Sequence, residues 1–212
     1  MSTITDVISN EESLFIPTKD DTRTTEQYTP KAKGDYLGHI VELRTSTREF
    51  DKQGRRHKAH IFNFKVRVAP ANKTNTYTFT TRDGETFNTD GSPYVGHEFN
   101  AVGVFRYLEP TKDDTFESNA EDNSRYMRFC QALGVEVETT KRTVNDKTVE
   151  VMVLPHLNEK DIEGTPVIAV VDRGNDWVNS DGKTSPSWEV KYVKRWEDGT
   201  RLPKGTNNDL PF

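Results

Sequence analysis

Apolar and polar positions alternate between residues 35 and 46 with the period of two that a half-buried strand requires. Leu37, His39, Val41 and Leu43 fall on one face, and Tyr36, Ile40, Glu42 and Arg44 on the other. Asp51-Lys52-Gln53-Gly54 supplies turn chemistry. The alternation resumes over 58–68, with Phe62, Phe64, Val66 and Val68 on a core face and Ile61, Asn63, Lys65 and Arg67 opposite. Strand, basic turn and strand predict a long hairpin. A short strand is expected at 76–81. A third long one is expected at 98–108, where Val102, Val104 and Leu108 oppose Phe99, Phe105 and Tyr107, leaving its two sides unassigned.

Ser118-Asn119-Ala120-Glu121 then has the spacing of a capping box. Tyr126, Phe129, Cys130 and Leu133 follow at helical spacing, and Gly134 stands where a C-terminal cap belongs. Cys130 lies on the apolar face and reads as a small buried hydrophobe. Further strands are expected at 148–154, 166–172 and 188–196. The order predicts a mainly β chain: a five-stranded OB-fold barrel with one helix between the third and fourth strands, plus an extra β-hairpin and loops. Residues 1–30 read as a flexible N-terminal arm, 31–198 as the barrel domain and 199–212 as a C-terminal tail.

Composition narrows the class. The chain is 32% apolar and 30% charged, lean but still that of a folded protein. No apolar run approaches the roughly 18 residues a membrane helix needs, so no membrane partner is expected. Residues 1–10 lack the basic and apolar regions of a leader, and the single Cys130 leaves no internal disulfide. These features predict a soluble cytoplasmic protein. The net charge of −5 conceals a gradient: residues 31–108 carry 13 basic and 8 acidic residues, whereas both flanks are acidic. Arg44, Arg48, Lys52, Arg55, Arg56, Lys58, Lys65 and Arg67 concentrate within 44–67, the electrostatic footprint of a polyanion site.

Catalytic motifs are lacking: there is no phosphate-cradling Gly-rich loop and no nucleophile elbow. His57 and His60 are three apart on a predicted strand and so point to opposite faces, which argues against a metal pair. Acidic pairs such as Asp113-Asp114 read as solvated surface. No enzyme activity, cofactor or metal is expected. Single-strand binding, by contrast, needs cations for phosphates and exposed aromatics for bases. The basic hairpin supplies the first, with His57 on the Lys65 and Arg67 face. Tyr36 and Trp177, the latter in a polar loop, are the stacking candidates. Trp188, Tyr192 and Trp196 share one face of the last strand, and their pattern divides evenly between core and stacking.

The chain ends Asn207-Asn208-Asp209-Leu210-Pro211-Phe212. This resembles the tip of the bacterial single-stranded DNA-binding protein family and its phage counterparts, which closes on Asp-Ile-Pro-Phe and docks onto replication and repair enzymes. The matching positions are Asp209, Leu210, Pro211 and Phe212, with Leu for Ile. The family's run of Asp and its long linker are missing. Gly34-Asp35-Tyr36-Leu37-Gly38-His39-Ile40-Val41-Glu42, with the helix end Leu133-Gly134-Val135, also looks like small phage proteins placed among recombination functions. The resemblance implies a phage-type protein that binds single-stranded DNA and recruits replication or recombination enzymes through its tip, in the cytoplasm of a bacterial host. The alternatives are a phage protein-interaction module with an OB-like barrel and no DNA affinity, then a metal-dependent nuclease.

Overall fold

The computed structural model describes residues 31–203, apart from 53, 81–83, 111–115, 119–122, 145–146, 179, 181, 183 and 186. The expected arm at 1–30 and the tail residues Asp209, Leu210, Pro211 and Phe212 lie outside the described residues. A long hairpin of β1 (Gly34–Lys52) and β2 (Arg55–Val68) comes first, then a short one of β3 (Thr76–Thr80) and β4 (Thr86–Asp90). Next are β5 (Glu98–Ala101), β6 (Val104–Pro110), β7 (Phe116–Ser118) and helix α1 (Ser124–Ala132). After the helix come β8 (Thr139–Val144), β9 (Lys147–Met152), helix α2 (Glu159–Ile162) and β10 (Pro166–Arg173). The small strands β11 (Trp177–Val178) and β12 (Thr184–Ser185) precede β13 (Trp188–Arg195). Among the described residues no helix is long and apolar enough to cross a membrane.

The fold is mainly β and is organised by one large mixed sheet, ordered β1-β10-β13-β5-β2-β6-β7. β1 also pairs with β2, so the hydrogen bonds run in a closed circuit through β1, β2, β5, β13 and β10. Every pairing in the circuit is antiparallel except the short parallel seam of β13 on β5, Glu189↔Asn100 and Val190↔Ala101.

β1 changes phase partway along. Its register with β2 runs Ile40↔Val66 and then Glu42↔Lys65, so Val41 is an extra residue, a β-bulge. Before the bulge the even residues Tyr36 and Ile40 point into the core. After it the odd Leu43 does, and Arg44 faces solvent. A single alternation across 35–46 therefore misplaces Tyr36. It is not an exposed stacking residue but fully buried, with its hydroxyl donating to the Ala32 carbonyl at 2.6 Å. The β2 alternation stands as predicted, with Phe62, Phe64, Val66 and Val68 in the core.

Two plugs fill the ends of the circuit. At one end Tyr36 stacks on Tyr77 with centroids 4.3 Å apart, and Tyr94 meets both rings edge-on. Asn72, also fully buried, ties this end together: its Oδ1 accepts from the Leu37 amide at 3.1 Å and the Tyr77 hydroxyl at 2.7 Å. A Cβ at Gly91 would stand 1.9 Å from the Asn72 carbonyl oxygen, so only glycine fits there. At the other end α1 presses Tyr126 onto Phe62 and Phe129 onto Phe64, at 5.3 and 5.1 Å.

The helix differs from its predicted start. Ser118 belongs to β7, and α1 begins at Ser124, so the proposed capping box does not cap it. Asn123 precedes the helix, but its side chain is taken by β6: Oδ1 accepts from the Tyr107 amide at 2.8 Å and Nδ2 donates to the Tyr107 carbonyl at 2.9 Å. Tertiary anchoring has replaced local capping. The C-terminus is as expected. Gly134 sits at φ +74°, with its amide on Gln131 and the Val135 amide on Cys130, the bond pattern of a Schellman motif. The expected strand at 98–108 is two strands, broken at Val102-Gly103 where the chain leaves β13 to follow the other half of β2.

The tyrosine plug yields a stability test. Tyr36→Ala removes a ring stacked on Tyr77 and should destabilise the fold by about 3–5 kcal/mol in urea denaturation. A substitution of the exposed Arg48 to Ala should change the midpoint little.

Candidate nucleic-acid interface

The β1–β2 hairpin is long because its strands stay in register to the tip, where Lys52 pairs with Arg55 and Gly54 takes φ +74°. Such a left-handed residue is what a tight hairpin turn needs. Opposed residues share a face, and the register therefore divides the basic segment in two.

One face carries Arg44, Arg48 and Phe50 of β1 beside His57, Ile61, Asn63, Lys65 and Arg67 of β2. β6 extends it: Phe105 is opposite Ile61 and Tyr107 opposite Ala59. Four rings form a continuous ladder there. Phe50 stacks on His57 at 5.9 Å and meets Tyr107 edge-on at 6.0 Å, and Tyr107 stacks on Phe105 at 5.8 Å. All four residues are half-buried. Arg44 and Arg48 are exposed alongside.

Carboxylates punctuate this face. Glu42 ion-pairs with Lys65 at 2.8 Å and with Arg44. The Lys65 hydrogen bond holds the Glu42 carboxyl below its ordinary range, and the Arg44 charge adds to the effect. Glu98 takes Arg67 at 2.7 Å and approaches Lys65 at 4.0 Å. Arg48 has no ion pair among the described residues.

The opposite face of the hairpin holds Arg56 and Lys58, both paired to Glu49. The Arg56 hydrogen bond keeps the Glu49 carboxyl below its usual range. These two cations therefore do not join the aromatic ladder. A pattern read along one strand places residues two apart together but cannot say which neighbouring strand they meet.

The remaining expectations sort as follows. Trp177 is placed by its backbone opposite Ser185 in β11, within the connection from β10 to β13. Its side chain, like those of Lys52 and Arg55, lies outside the described residues. A register shift between Val170 and Val171 breaks the row on β13. Trp188 consequently packs against the core, Tyr192 is 52% exposed and Trp196 lies 5.6 Å from His39. Cys130 is fully buried, and burial pushes its thiol up to about 11.

Phe50, Phe105 and Tyr107 are the site residues that sequence reasoning missed. Phe50 could have been found by carrying the even phase of Arg44 and Arg48 past residue 46. Phe105 and Tyr107 needed the β2–β6 register. No family model, curated protein or solved structure matches the chain.

The two faces make a discriminating prediction. Changing Arg44, Arg48 and Lys65 together to Ala should lower affinity for a labelled oligonucleotide by about tenfold or more at low salt. Changing Arg56 and Lys58 to Ala should leave it nearly unaltered. Both variants should melt within a few degrees of the parent, since exposed ion pairs contribute at most about 1 kcal/mol each.

Proposed function

We propose that this chain is a non-catalytic single-stranded DNA-binding protein built on an OB-type barrel. It would protect strands during replication or recombination and recruit enzymes of those processes through its C-terminal tip. The observation that carries the reading is the ring ladder Phe50, His57, Tyr107 and Phe105 lying on the same face as Arg44, Arg48 and Lys65. Rings at that spacing offer flat surfaces to successive bases, each worth about 1–3 kcal/mol, while flanking cations track the phosphates.

The strand circuit supports the barrel. Numbering its members along the chain as first (β1), second (β2), third (β5 with β6), fourth (β10) and fifth (β13) gives the neighbour order first, second, third, fifth, fourth. α1 falls between the third and fourth. That is the OB arrangement, whose second and third strands, with the first and fourth loops, form the usual oligonucleotide surface. His57, Tyr107 and Phe105 of the ladder lie on the corresponding strands and Phe50 on the first, the hairpin tip is the first loop, and Trp177 lies in the last. Fold alone hosts many functions, so the assignment rests on the residues displayed there.

A protein-interaction module without DNA affinity is the competing reading. It draws on the ion pairs, since Glu42, Glu98 and Glu49 engage Arg44, Lys65, Arg67, Arg56 and Lys58. In the DNA-binding reading those carboxylates hold the cations in position until phosphate exchanges for them, which weakens binding without abolishing it.

Titration with poly(dT) and with duplex DNA across salt concentrations separates the two. Single strands should be preferred, with a slope of log K against log[salt] of roughly −3 to −4 if about four to six cations meet phosphate. Phe105→Ala with Tyr107→Ala should cost about 1–3 kcal/mol per ring and leave the salt slope unchanged, because stacking releases no counterions. Equal affinity for duplex, or a flat salt response, would remove the DNA assignment.

The tail supports recruitment through a different chemistry. Phe212 suits an apolar pocket, and Pro211 limits the entropy lost on docking. Deleting 207–212 should abolish capture of partner enzymes in a pull-down and leave the melting temperature unchanged. Phe212→Ala should do most of the same, since one buried aromatic usually dominates such an interface.

A further inference from the structure

On the side of β1 and β2 opposite the ladder lies a cavity of about 390 Å³. Thr45 and Thr47 of β1, His60 and Phe62 of β2, Arg106 of β6 and His156 line it. Three strands and the segment before α2 thus aim one guanidinium and two imidazoles into one space. Among the described residues the lining contains no carboxylate. Glu159 of α2 stands at the rim, where its Oε1 accepts from the Thr45 amide at 3.1 Å and the Thr45 hydroxyl at 2.9 Å. Lys58 also acts on His60, but it is paired to Glu49.

Arg106 shows what is missing. Its guanidinium carbon stands 6.0 Å from the Tyr126 ring centre, and its Nε is buried with no hydrogen-bond partner. A buried donor on a permanent cation is costly to leave unmatched. Burial, followed by the Arg106 charge and then His156 and Lys58, holds the His60 imidazole below its ordinary range. Positive groups gathered in one space repel one another, and an anion placed among them relieves both the repulsion and the orphaned donor.

We propose that this cavity is an oxyanion site that takes a phosphate monoester, with Arg106 as the fixed charge, the His60 and His156 rings as N–H donors and the Thr47 hydroxyl as a further donor. The size is at the small end of ligand pockets, which run from about 300 to 1,000 Å³. A strand lying across the ladder would not thread this cavity, because the two are on opposite faces of β2. The ligand is therefore a terminal phosphate or a small phosphorylated molecule rather than a passing phosphodiester.

Sulfate is the first probe, since it keeps its double charge across about pH 5.5 to 8, the range in which an ordinary imidazole changes charge. Followed by the histidine ring signals in NMR, His60 and His156 should both respond saturably, at lower sulfate concentration at the acid end. The response should be lost in Arg106→Gln and weakened in His156→Asn, the latter at an exposed position that bears little on folding. No saturable response, or one that chloride reproduces at equal ionic strength, overturns the proposal. A second arm compares short oligothymidylates with and without a 5′-phosphate. A gain confined to the phosphorylated strand and absent in Arg106→Gln identifies the ligand as a strand end. Equal strand binding, with saturation by inorganic phosphate retained, identifies a small phosphorylated molecule. The sulfate arm contains no DNA, so its failure would leave the ladder assignment standing, and failure of the ladder would leave this site standing.

Discussion

The extra residue at Val41 is the constraint from which the rest of the structure follows. β1 must do two jobs in one continuous run. Its first part closes against β10 and β2 with Tyr36 and Ile40 turned inward. Its second part runs out along β2 as a hairpin with Arg44 and Arg48 turned outward. Without a bulge, the parity that buries Tyr36 would also turn Arg44 toward the core. One inserted residue reverses the parity and adds local twist, so a buried aromatic plug and a solvated cationic face coexist on the same strand. Gly38, three residues earlier, permits the close passage: a Cβ there would come within 2.6 Å of the Arg67 carbonyl oxygen.

Legibility in the sequence followed from how local each feature is. The β2 alternation and the helix end at Gly134 depend on neighbours in the chain, and both could be read. Tyr36 could not, because a bulge leaves no reliable mark in residue type and inverts every assignment upstream of it. The helix start was misread because Asn123 spends its side chain on Tyr107, a long-range partner that no capping pattern encodes. The candidate site was half legible. Its cations stood out as a cluster, but whether Arg56 faces with Arg48 or against it is a matter of strand parity, and the meeting of Phe50 with Tyr107 depends on β6 choosing the outer half of β2.

Electrostatically the molecule restrains its own positive charge. Three carboxylates on or beside the hairpin are each matched to two cations: Glu42 to Arg44 and Lys65, Glu49 to Arg56 and Lys58, Glu98 to Arg67 and Lys65. Shared pairing orients long flexible side chains in advance and lowers the entropy lost when a polyanion arrives. It also limits the indiscriminate attraction to duplex that an unpaired basic patch would exert. Under the proposed function the rings would then select the polyanion, since only unpaired bases can lie flat on them.

The parallel seam between β5 and β13 has a consequence for how the chain matures. It joins Asn100 to Glu189 and Ala101 to Val190, partners separated by most of a domain's length, whereas the β1–β2 ribbon is wholly local. Loop closure of that span is slow compared with zipping a hairpin. On a ribosome the ribbon and its ring ladder can therefore assemble while the circuit is still an open sheet, with β5 and β1 offering unpaired edges. Those edges are covered only after β10 and β13 have emerged. The nascent protein thus acquires its display surface early and the β5–β13 seam late, and its sheet stays open to edge-to-edge association until β13 has left the ribosome.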